Sequence, residues 1–324
     1  MSASALSTPT PLMISAFIKS CVKTVALPLV GVAVFLLIWE FGSSKIQTSL
    51  GQFPGPGIVI NQVKGLYQEY EADQAAAAAF YERQEKRIAQ AREQDPNYVA
   101  EYRKYSGKPT FIQQIFTSLK TVFTGFLLAS IIAIPLGIAI GLSANLYASI
   151  NPLIQLFKPI SPLAWLPLVT IVVSAVYSNP DGVPKSFITS ALTVMLCSLW
   201  PTLINTAVGV TSVSSDLVNV SRVLRLNWLR HVRSIVLPSA VPMIFTGLRL
   251  SLGIAWMVLI AAEMLAQNPG LGKFVWDEFQ NGSSDSLGRI MVAVLTIGMI
   301  GYLLDRGMLL LQKVFSWDKQ AILR

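Results

Sequence analysis

Six runs of apolar residues, separated by polar stretches, decide which folds this chain of 324 residues can adopt. A helix needs roughly 20 apolar residues to cross a bilayer. Four of the runs reach that length, and the first and third reach it only when extended, over residues 19–42 and backward through 152–165. Only 13% of the residues are charged, about half the share in ordinary soluble domains. We therefore predict an all-α integral membrane protein with about six transmembrane helices, in the runs at residues 25–39, 123–142, 164–176, 187–210, 243–265 and 290–311.

The N-terminal segment admits a second interpretation, a cleavable signal peptide, because Lys19 and Lys23 precede the first apolar run. Such a peptide carries small residues at its cleavage site. Trp39, Glu40 and Phe41 stand there instead, so we expect the run to be retained as the first transmembrane helix. Residues 1–18 are rich in Ser, Thr, Pro and Ala and are predicted to form a disordered tail.

The basic residues indicate how the chain is oriented. A net charge of +8 would suggest nucleic-acid binding in a soluble protein, but here the basic residues cluster at two places that fall on one side of a six-span topology. Lys and Arg mark cytoplasmic loops. We therefore expect a multi-pass protein of the inner (plasma) membrane with both termini and the tail at 313–324 in the cytoplasm, in contact with lipid and not with nucleic acid. The two clusters are Arg222, Arg225, Arg230 and Arg233, and Arg306, Lys313, Lys319 and Arg324.

Residues 43–115 form the longest polar stretch and are predicted to be a helical insertion on the extracytoplasmic side. Good helix formers fill much of residues 63–105, and Asp95–Pro96 breaks the pattern, so we predict a helical hairpin. One interpretation makes it a solvated hairpin without a specific role. The other makes it a docking platform, because it carries six tyrosines. The stretch is long enough for its own charges not to set the topology.

The chain offers no set of residues for catalysis. Its single histidine, His231, stands among arginines and is expected to be solvated, and Cys21 and Cys197 lack C-x-x-C spacing. Residues 270–273 (Gly-Leu-Gly-Lys) are not a phosphate-binding loop, because Gln267 stands where that loop needs a glycine. We therefore predict no catalytic residue, no metal site and no cofactor on this chain, which argues against an intramembrane enzyme. If ATP drives the protein, another chain binds the ATP.

Polar and aromatic residues within the apolar runs are candidates for a pathway through the membrane. Glu263 lies near the end of the fifth run, where an ionisable group is costly unless it faces a cavity or a partner, or is hydrated at the interface. Trp165 lies in the proline-rich segment 158–167 and is either a gate residue or a packing residue. Asp305 and Arg306 are interpreted as anchors at the membrane interface.

The connection at residues 211–238 is predicted to form two short amphipathic helices. Leu217, Val220, Leu224 and Trp228 recur at three- and four-residue spacing, with arginines on the other face. Such a basic element either lies on anionic lipid or docks into a groove of a partner protein.

Residues 219–238 resemble, in spacing, the E-A-A-x3-G-x9-I-x-L-P signature of type I ATP-binding-cassette importer permeases. Ile235, Leu237 and Pro238 match it. Asn219, Val220 and Ser221 replace the Glu-Ala-Ala, and Arg225 replaces the glycine. Glycine tolerates a left-handed turn that arginine adopts at a cost, so we expect a less sharply bent joint here. Residues 159–167 and 203–205 resemble the nitrate/sulfonate/taurine branch of the family, and residues 262–284 resemble the cyanobacterial nitrate/nitrite permease and its bicarbonate relative.

This resemblance extends over most of the chain beyond residue 110. It implies a transmembrane core at 116–312 that pairs with a second copy of itself, two cytoplasmic ATPase subunits that hold ATP and Mg, and an extracytoplasmic solute-binding protein. It also implies a coupling role toward the ATPase for Val218, Asn219, Val220, Ser221, Arg222, Val223, Leu224, Arg225, Leu226 and Asn227.

The implied function is import of nitrate or nitrite, with bicarbonate, sulfonate or taurine as alternative substrates and a non-transporting membrane scaffold as an alternative of another class. For an anion pathway we look to Thr202 and Asn205, since arginines within the runs are scarce. Pro238 and Pro242, at the beginning of the fifth span, are predicted hinges.

Overall fold

A computed structural model describes residues 26–48, 51–95, 98–178 and 182–315. The tail at 1–18, Cys21 and most of the tail at 313–324 lie outside these residues. The described chain is almost entirely helical, which confirms the predicted all-α class. Its helices are α1 (Leu27–Lys45), α2 (Pro56–Gln94), α3 (Phe111–Leu142), α4 (Ala144–Phe157), α5 (Pro162–Val176), α6 (Lys185–Thr211), α7 (Ser215–Val223), α8 (Trp228–His231), α9 (Leu237–Ala266), α10 (Leu271–Asn281) and α11 (Ser286–Phe315).

Within the described ranges, five helical stretches are long and apolar enough to cross a membrane: α1, α3, α6, the stretch Trp228–Ala266 that ends in α9, and α11. The third predicted span is not a single helix. It is divided between α4 and α5, whose axes differ by 99°, and counting this bent pair as one span gives six. Pro159 and Pro162 stand at the break, where each lacks the N–H that a continuous helix requires.

The centre of the bundle consists of α3, α6 and α9, which pack most extensively on one another. A Cβ atom at Gly125 of α3 would lie 2.6 Å from the Ala191 carbonyl oxygen of α6, and one at Gly137 would lie 2.7 Å from that of Leu203. From the first contact to the second, the residue number rises by 12 in both helices, so α3 and α6 run parallel. Gly247 of α9 approaches the Thr202 backbone of α6 in the same way. Small residues permit this close helix packing within a membrane.

The insertion at one end of the bundle is not the predicted hairpin. The single helix α2 runs over 39 residues, because helix formers continue unbroken up to the Asp95–Pro96 stop. Residues 98–110 then return along it without helical structure. The N–H of Arg103 donates to Oε1 of Gln84 (3.3 Å), and the hydroxyl of Tyr105 donates to Oδ1 of Asp73 (3.1 Å). A two-stranded ribbon, β1 (Gln47–Thr48) and β2 (Gly51–Gln52), links α1 to α2.

The insertion is fixed to the bundle by its first turns. Val59 and Leu66 of α2 belong to the same buried cluster as Phe111 and Leu259. Arg289 of α11 donates to Glu69 of α2 and, at 3.1 Å, to the Glu278 carboxylate of α10. The helix α2 therefore lies at the end of the bundle where α3 and α11 begin, and residues 211–238 lie at the opposite end.

Candidate functional site

Residues 211–238 fold as two short helices joined by a tight turn, as predicted. The helix α7 ends at Val223; the N–H of Leu226 donates to the Ser221 carbonyl and that of Arg225 to the Arg222 carbonyl, both at 3.1 Å. This pair of bonds is the Schellman arrangement that terminates helices with a left-handed residue. Arg225 is that residue, with φ of 49°. The expectation of a less sharply bent joint is therefore wrong, because arginine adopts the conformation that glycine favours.

One side-chain contact holds the two short helices together. Oγ of Ser221, in α7, lies 2.8 Å from Nδ1 of His231, at the end of α8. Ser221 is buried, and His231 is half-buried, so the expectation of a solvated histidine is wrong. The Asn227 side chain accepts from the N–H of Arg230 (3.1 Å) and caps α8. The turn between α7 and α8 is therefore fixed by side chains as well as by its backbone.

The solvent-facing side of residues 211–238 exposes several large apolar side chains. Val223 is 81% exposed, and Trp228 and Leu229 are each 66% exposed. Leu217, Val220 and Leu224 are exposed beside them. Arg222, Arg225, Arg230 and Arg233 are also exposed. Several exposed apolar side chains flanked by charges are typical of a surface that binds a partner or a membrane.

The segment joins the bundle through a π-helical turn, Val232–Val236, which runs directly into α9. Ile235 and Val236 are buried, and Val236 packs in a cluster with Val210 of α6 and Ala240 of α9. Pro238 lacks the N–H that would bond the Ser234 carbonyl in an α-helix, which accounts for a widened turn just before it. Pro242 follows one turn later, inside α9.

Glu263 lies in an enclosed polar cluster and not on an open surface. Its carboxylate has no exposed area and accepts from Oγ of Ser118 (2.7 and 2.9 Å) and from the N–H of Gly272 (3.0 Å). Ser118 in turn accepts from the N–H of Leu271 (2.8 Å). The carboxylate and the hydroxyl thus satisfy the free N–H groups at the beginning of α10. Glu263 therefore joins three helices in a fully buried position, and its role in a pathway stays a prediction.

Thr202 is likewise fully buried, between α6 and α9. Its hydroxyl donates to Oγ of Ser251 (2.7 Å), which donates to the Ser198 carbonyl (2.5 Å). Oγ of Ser251 also accepts from the backbone N–H of Thr202 (3.1 Å), next to Pro201 in α6. Asn205 is half-buried, and its Nδ2 donates to the Pro201 carbonyl (2.8 Å). Thr202 thus links α6 to α9, and its role in a pathway stays a prediction.

Trp165 stacks on Phe157 across the break between α4 and α5, with the ring centroids 6.0 Å apart. Phe157 stacks in turn on Trp200 of α6 at 6.3 Å. The Nε1 of Trp165 is buried and has no hydrogen-bond partner within the described ranges. The aromatic stack holds the bent span against α6, and a role for Trp165 or Asn205 in a pathway stays a prediction.

An ion pair between two spans was not predicted from the sequence. Nε and Nη2 of Arg249, in α9, donate to the two carboxylate oxygens of Asp305, in α11, at 2.5 and 2.9 Å. Asp305 was expected to be an interface anchor and is instead a partner of another span. The sequence did contain a sign of this pair, because Arg249 and Asp305 are both ionisable residues inside apolar runs. Such residues are functional candidates.

Similarity to known proteins indicates the family to which the chain belongs. The family model described as "Binding-protein-dependent transport system inner membrane component" matches residues 133–315, more than half of the chain. The bicarbonate transport system permease protein CmpB of Synechococcus elongatus is 36% identical over 290 residues, which cover 89% of this chain and 88% of that protein.

The nitrate import permease protein NrtB of Synechocystis sp. is 40% identical over 193 residues, 60% of this chain. The match spans 66% of that protein, slightly less than two thirds of its length. The MetNI methionine ABC transporter, solved in an inward-facing conformation, has a similar fold: its TM-score is 0.54 at 14% identity, over 64% of this chain and 96% of the matched one.

Proposed function

Because the chain belongs to the family of binding-protein-dependent transport system inner membrane components, we propose that it is the permease subunit of an ATP-driven importer for nitrate or nitrite. It is an integral inner-membrane protein and an ABC permease of the nitrate/bicarbonate transporter type. Members of this family generally work with ATPase and solute-binding partners. In the proposal both termini are cytoplasmic, two copies of the chain enclose the pathway, and two ATPase subunits hold ATP and Mg.

The observation that carries the proposal is the exposed apolar and basic surface of residues 218–227 and the adjoining Trp228, which a π-helical turn connects to the bundle. In the proposal this surface docks into a groove of the ATPase subunit. A docking element transmits motion only when it is itself stiff, and the Ser221–His231 contact and the Schellman turn make it so. Docking removes Val223 and Trp228 from water, which contributes favourably to binding.

Co-purification of the ATPase with this chain tests the docking role. Val223→Glu places a charge in the proposed interface and is expected to lower the retained ATPase at least about tenfold, since an unpaired buried charge costs several kcal/mol. Val99→Glu is the matched control, because Val99 is 87% exposed on the opposite end of the molecule. Equal retention in both variants would contradict the coupling role.

The hinge is proposed to lie where this segment joins α9. A π-helical turn at Val232–Val236 and the prolines at 238 and 242 interrupt the regular backbone ladder within about three turns. Bending there would move the docking surface relative to the bundle. Replacing Pro238 by Ala is expected to stiffen this joint, which lowers uptake while the ATPase remains bound.

The insertion at the other end is proposed to receive the solute-binding protein. Arg83, Arg87 and Arg103 line a cavity of about 520 Å³ between α2 and the returning segment, together with Phe80, Tyr98 and a single carboxylate, Glu101, which lies 3.9 Å from Arg103. This basic and aromatic lining suits acidic residues on a partner. Arg87→Glu is expected to weaken stimulation of ATP hydrolysis by the binding protein, whereas Lys86→Glu, the same charge change outside the cavity, is not.

Uptake of labelled nitrate and labelled bicarbonate by cells that lack this gene tests the substrate. Loss and rescue of nitrate uptake alone would support the proposal. Rescue of bicarbonate uptake alone would keep the fold and the mechanism and replace the substrate, an alternative that the likeness to CmpB supports. Rescue of neither would favour a sulfonate or taurine substrate, or a scaffold.

A further inference from the structure

The Arg249–Asp305 pair lies deep within the membrane-spanning part of the chain. Arg249 is 12 residues after the beginning of α9, and Asp305 is 10 residues before the end of α11. At 1.5 Å per residue these positions are roughly 15–18 Å from the helix ends. Each helix is about 45 Å long and the hydrocarbon layer is about 30 Å thick, so both groups lie well inside the layer when it is centred on the helices.

The pair is nevertheless only half enclosed by the protein. The Arg249 side chain is 40% exposed and the Asp305 side chain is 39% exposed. Exposing ionised groups to lipid at this depth is costly, and such groups face a bundle interior or a water-filled cavity instead. The face of the molecule between α9 and α11 is therefore turned away from lipid.

A cavity of about 220 Å³ opens beside the pair, between α9 and α11. Gly253 leaves open space along one wall, and Gly301 lies close to Trp256. Trp256 forms an apolar wall because its indole N–H is already bonded to the Ile297 carbonyl (3.0 Å). Nη1 of Arg249 forms no hydrogen bond or ion pair with another part of the chain that the structure describes. One N–H of Nη1 is parallel to the second N–H of Nη2, in the plane set by Asp305, and this pair of donors is available to a ligand.

We propose that Arg249 binds the transported anion in this cavity during its passage, and that the anion is a small planar oxyanion. A guanidinium group presents parallel N–H donors that match two oxygens of a planar anion, which an ammonium group cannot do. Asp305 positions the guanidinium and cancels its net charge. Binding is thereby weak enough for the anion to leave, as transport requires. This inference rests on the proposed function and adds the residue that contacts its substrate.

The test uses the whole importer, with its ATPase and binding protein, reconstituted in liposomes and supplied with labelled nitrate or bicarbonate. The readout is the number of anions imported per ATP hydrolysed. Arg249→Lys keeps the charge and a partner for Asp305 but loses the planar fork, and we expect this ratio to fall about tenfold. A purely structural pair would change uptake and ATP hydrolysis together and leave the ratio unaltered.

Two glycines provide a matched comparison that does not depend on the ion pair. A Cβ atom at Gly253 or at Gly298 would meet no atom within 4 Å, so both alanine variants should fold. Gly253 lines the cavity and Gly298 does not. We expect Gly253→Ala to lower the ratio of anions imported to ATP hydrolysed at least about threefold, because the methyl group narrows the route, and Gly298→Ala to leave it unchanged.

The outcomes separate this inference from the proposed function. If the unmodified importer transports neither anion, the proposed function fails. If it transports one of them and Arg249→Lys and Gly253→Ala both keep its ratio, the anion site is overturned and the pair is only a contact between helices or copies. If Arg249→Lys does not assemble, the two glycine variants decide, and an equal effect in both also overturns the site.

Discussion

Ser118 of α3 and Glu263 of α9 are 145 residues apart in the chain and are joined by a hydrogen bond of 2.7 Å in a fully enclosed position. The same hydroxyl accepts from the N–H of Leu271, and the carboxylate accepts from that of Gly272. A negative charge at the beginning of a helix is favoured by the free N–H groups there. The contact therefore fixes α10 between two spans.

Removing the Ser118 hydroxyl should destabilise the protein. Ser118→Ala leaves the N–H of Leu271 without its acceptor and leaves the Glu263 carboxylate with the N–H of Gly272 but without the hydroxyl donor, and an unsatisfied buried group costs about 1–3 kcal/mol. We expect a lower melting temperature of the purified protein in detergent. Ser130→Ala is the control, because the Ser130 hydroxyl is also buried but bonds only the Phe126 carbonyl of its own helix. Equal melting temperatures for both variants would contradict the capping role.

The left-handed Arg225 should gain from replacement by glycine. A non-glycine residue in this conformation costs about 1 kcal/mol, so Arg225→Gly is expected to stabilise the turn between α7 and α8. Amide hydrogen exchange of residues 221–226 should slow by about fivefold. Arg222→Gly, inside α7, should accelerate the same exchange, because glycine weakens a helix interior by about the same amount. Faster exchange in Arg225→Gly would show that the arginine side chain itself holds the turn.

The attachment of α2 to the bundle should depend on Glu278. This residue is buried and accepts from Arg289 (3.1 Å) and from Oγ of Ser286 (3.0 Å). The same arginine also donates to Glu69 of α2. Glu278→Gln removes the charge that pairs with Arg289 and is expected to cost about 2 kcal/mol. The measurement is the melting temperature, together with the rate of tryptic cleavage in α2. Glu82→Gln, in an exposed pair with Lys86, should change neither.

The returning segment at residues 98–110 should loosen at high pH. The hydrogen bond from Tyr105 to the Asp73 carboxylate raises the pKa of Tyr105 above its ordinary value of 10.0, with smaller contributions from burial and from the Asp73 charge. A raised pKa means that the bond is fully present below the ordinary value and is lost as the pH rises through the raised one.

Tryptic cleavage after Arg103 and Lys104 should therefore accelerate only above pH 10 in the unmodified protein. Tyr105→Phe should be cleaved faster already at neutral pH and show no such additional rise. Tyr102→Phe is the control, since Tyr102 is 66% exposed. A rise above pH 10 of the same size in Tyr105→Phe would exclude Tyr105 as its cause.

Local patterns predicted the helical class, the span count and the two short helices at 211–238, because each depends on residues close together in the chain. The hairpin prediction failed for a local reason as well. The helix formers of α2 contain no break before Asp95, so the chain continues as one helix and returns without a second.

The surroundings of the buried polar and charged residues could not be predicted from local sequence patterns. Glu263, Thr202 and Asp305 each stood out as polar residues in apolar runs, but the sequence does not say whether such a residue faces a pathway or a neighbouring helix. Arg249 and Asp305 are 56 residues apart, and only the antiparallel packing of α9 on α11 brings them together.

The sequence by itself determined that this chain is an all-α membrane protein with about six apolar spans and that two short amphipathic helices lie at residues 211–238, because hydrophobic length and helical periodicity are properties of consecutive residues. The tertiary structure alone decided which polar groups are satisfied inside the bundle and which remain free to bind. A membrane interior offers buried polar groups little or no water, so each needs a partner that the folded chain brings near.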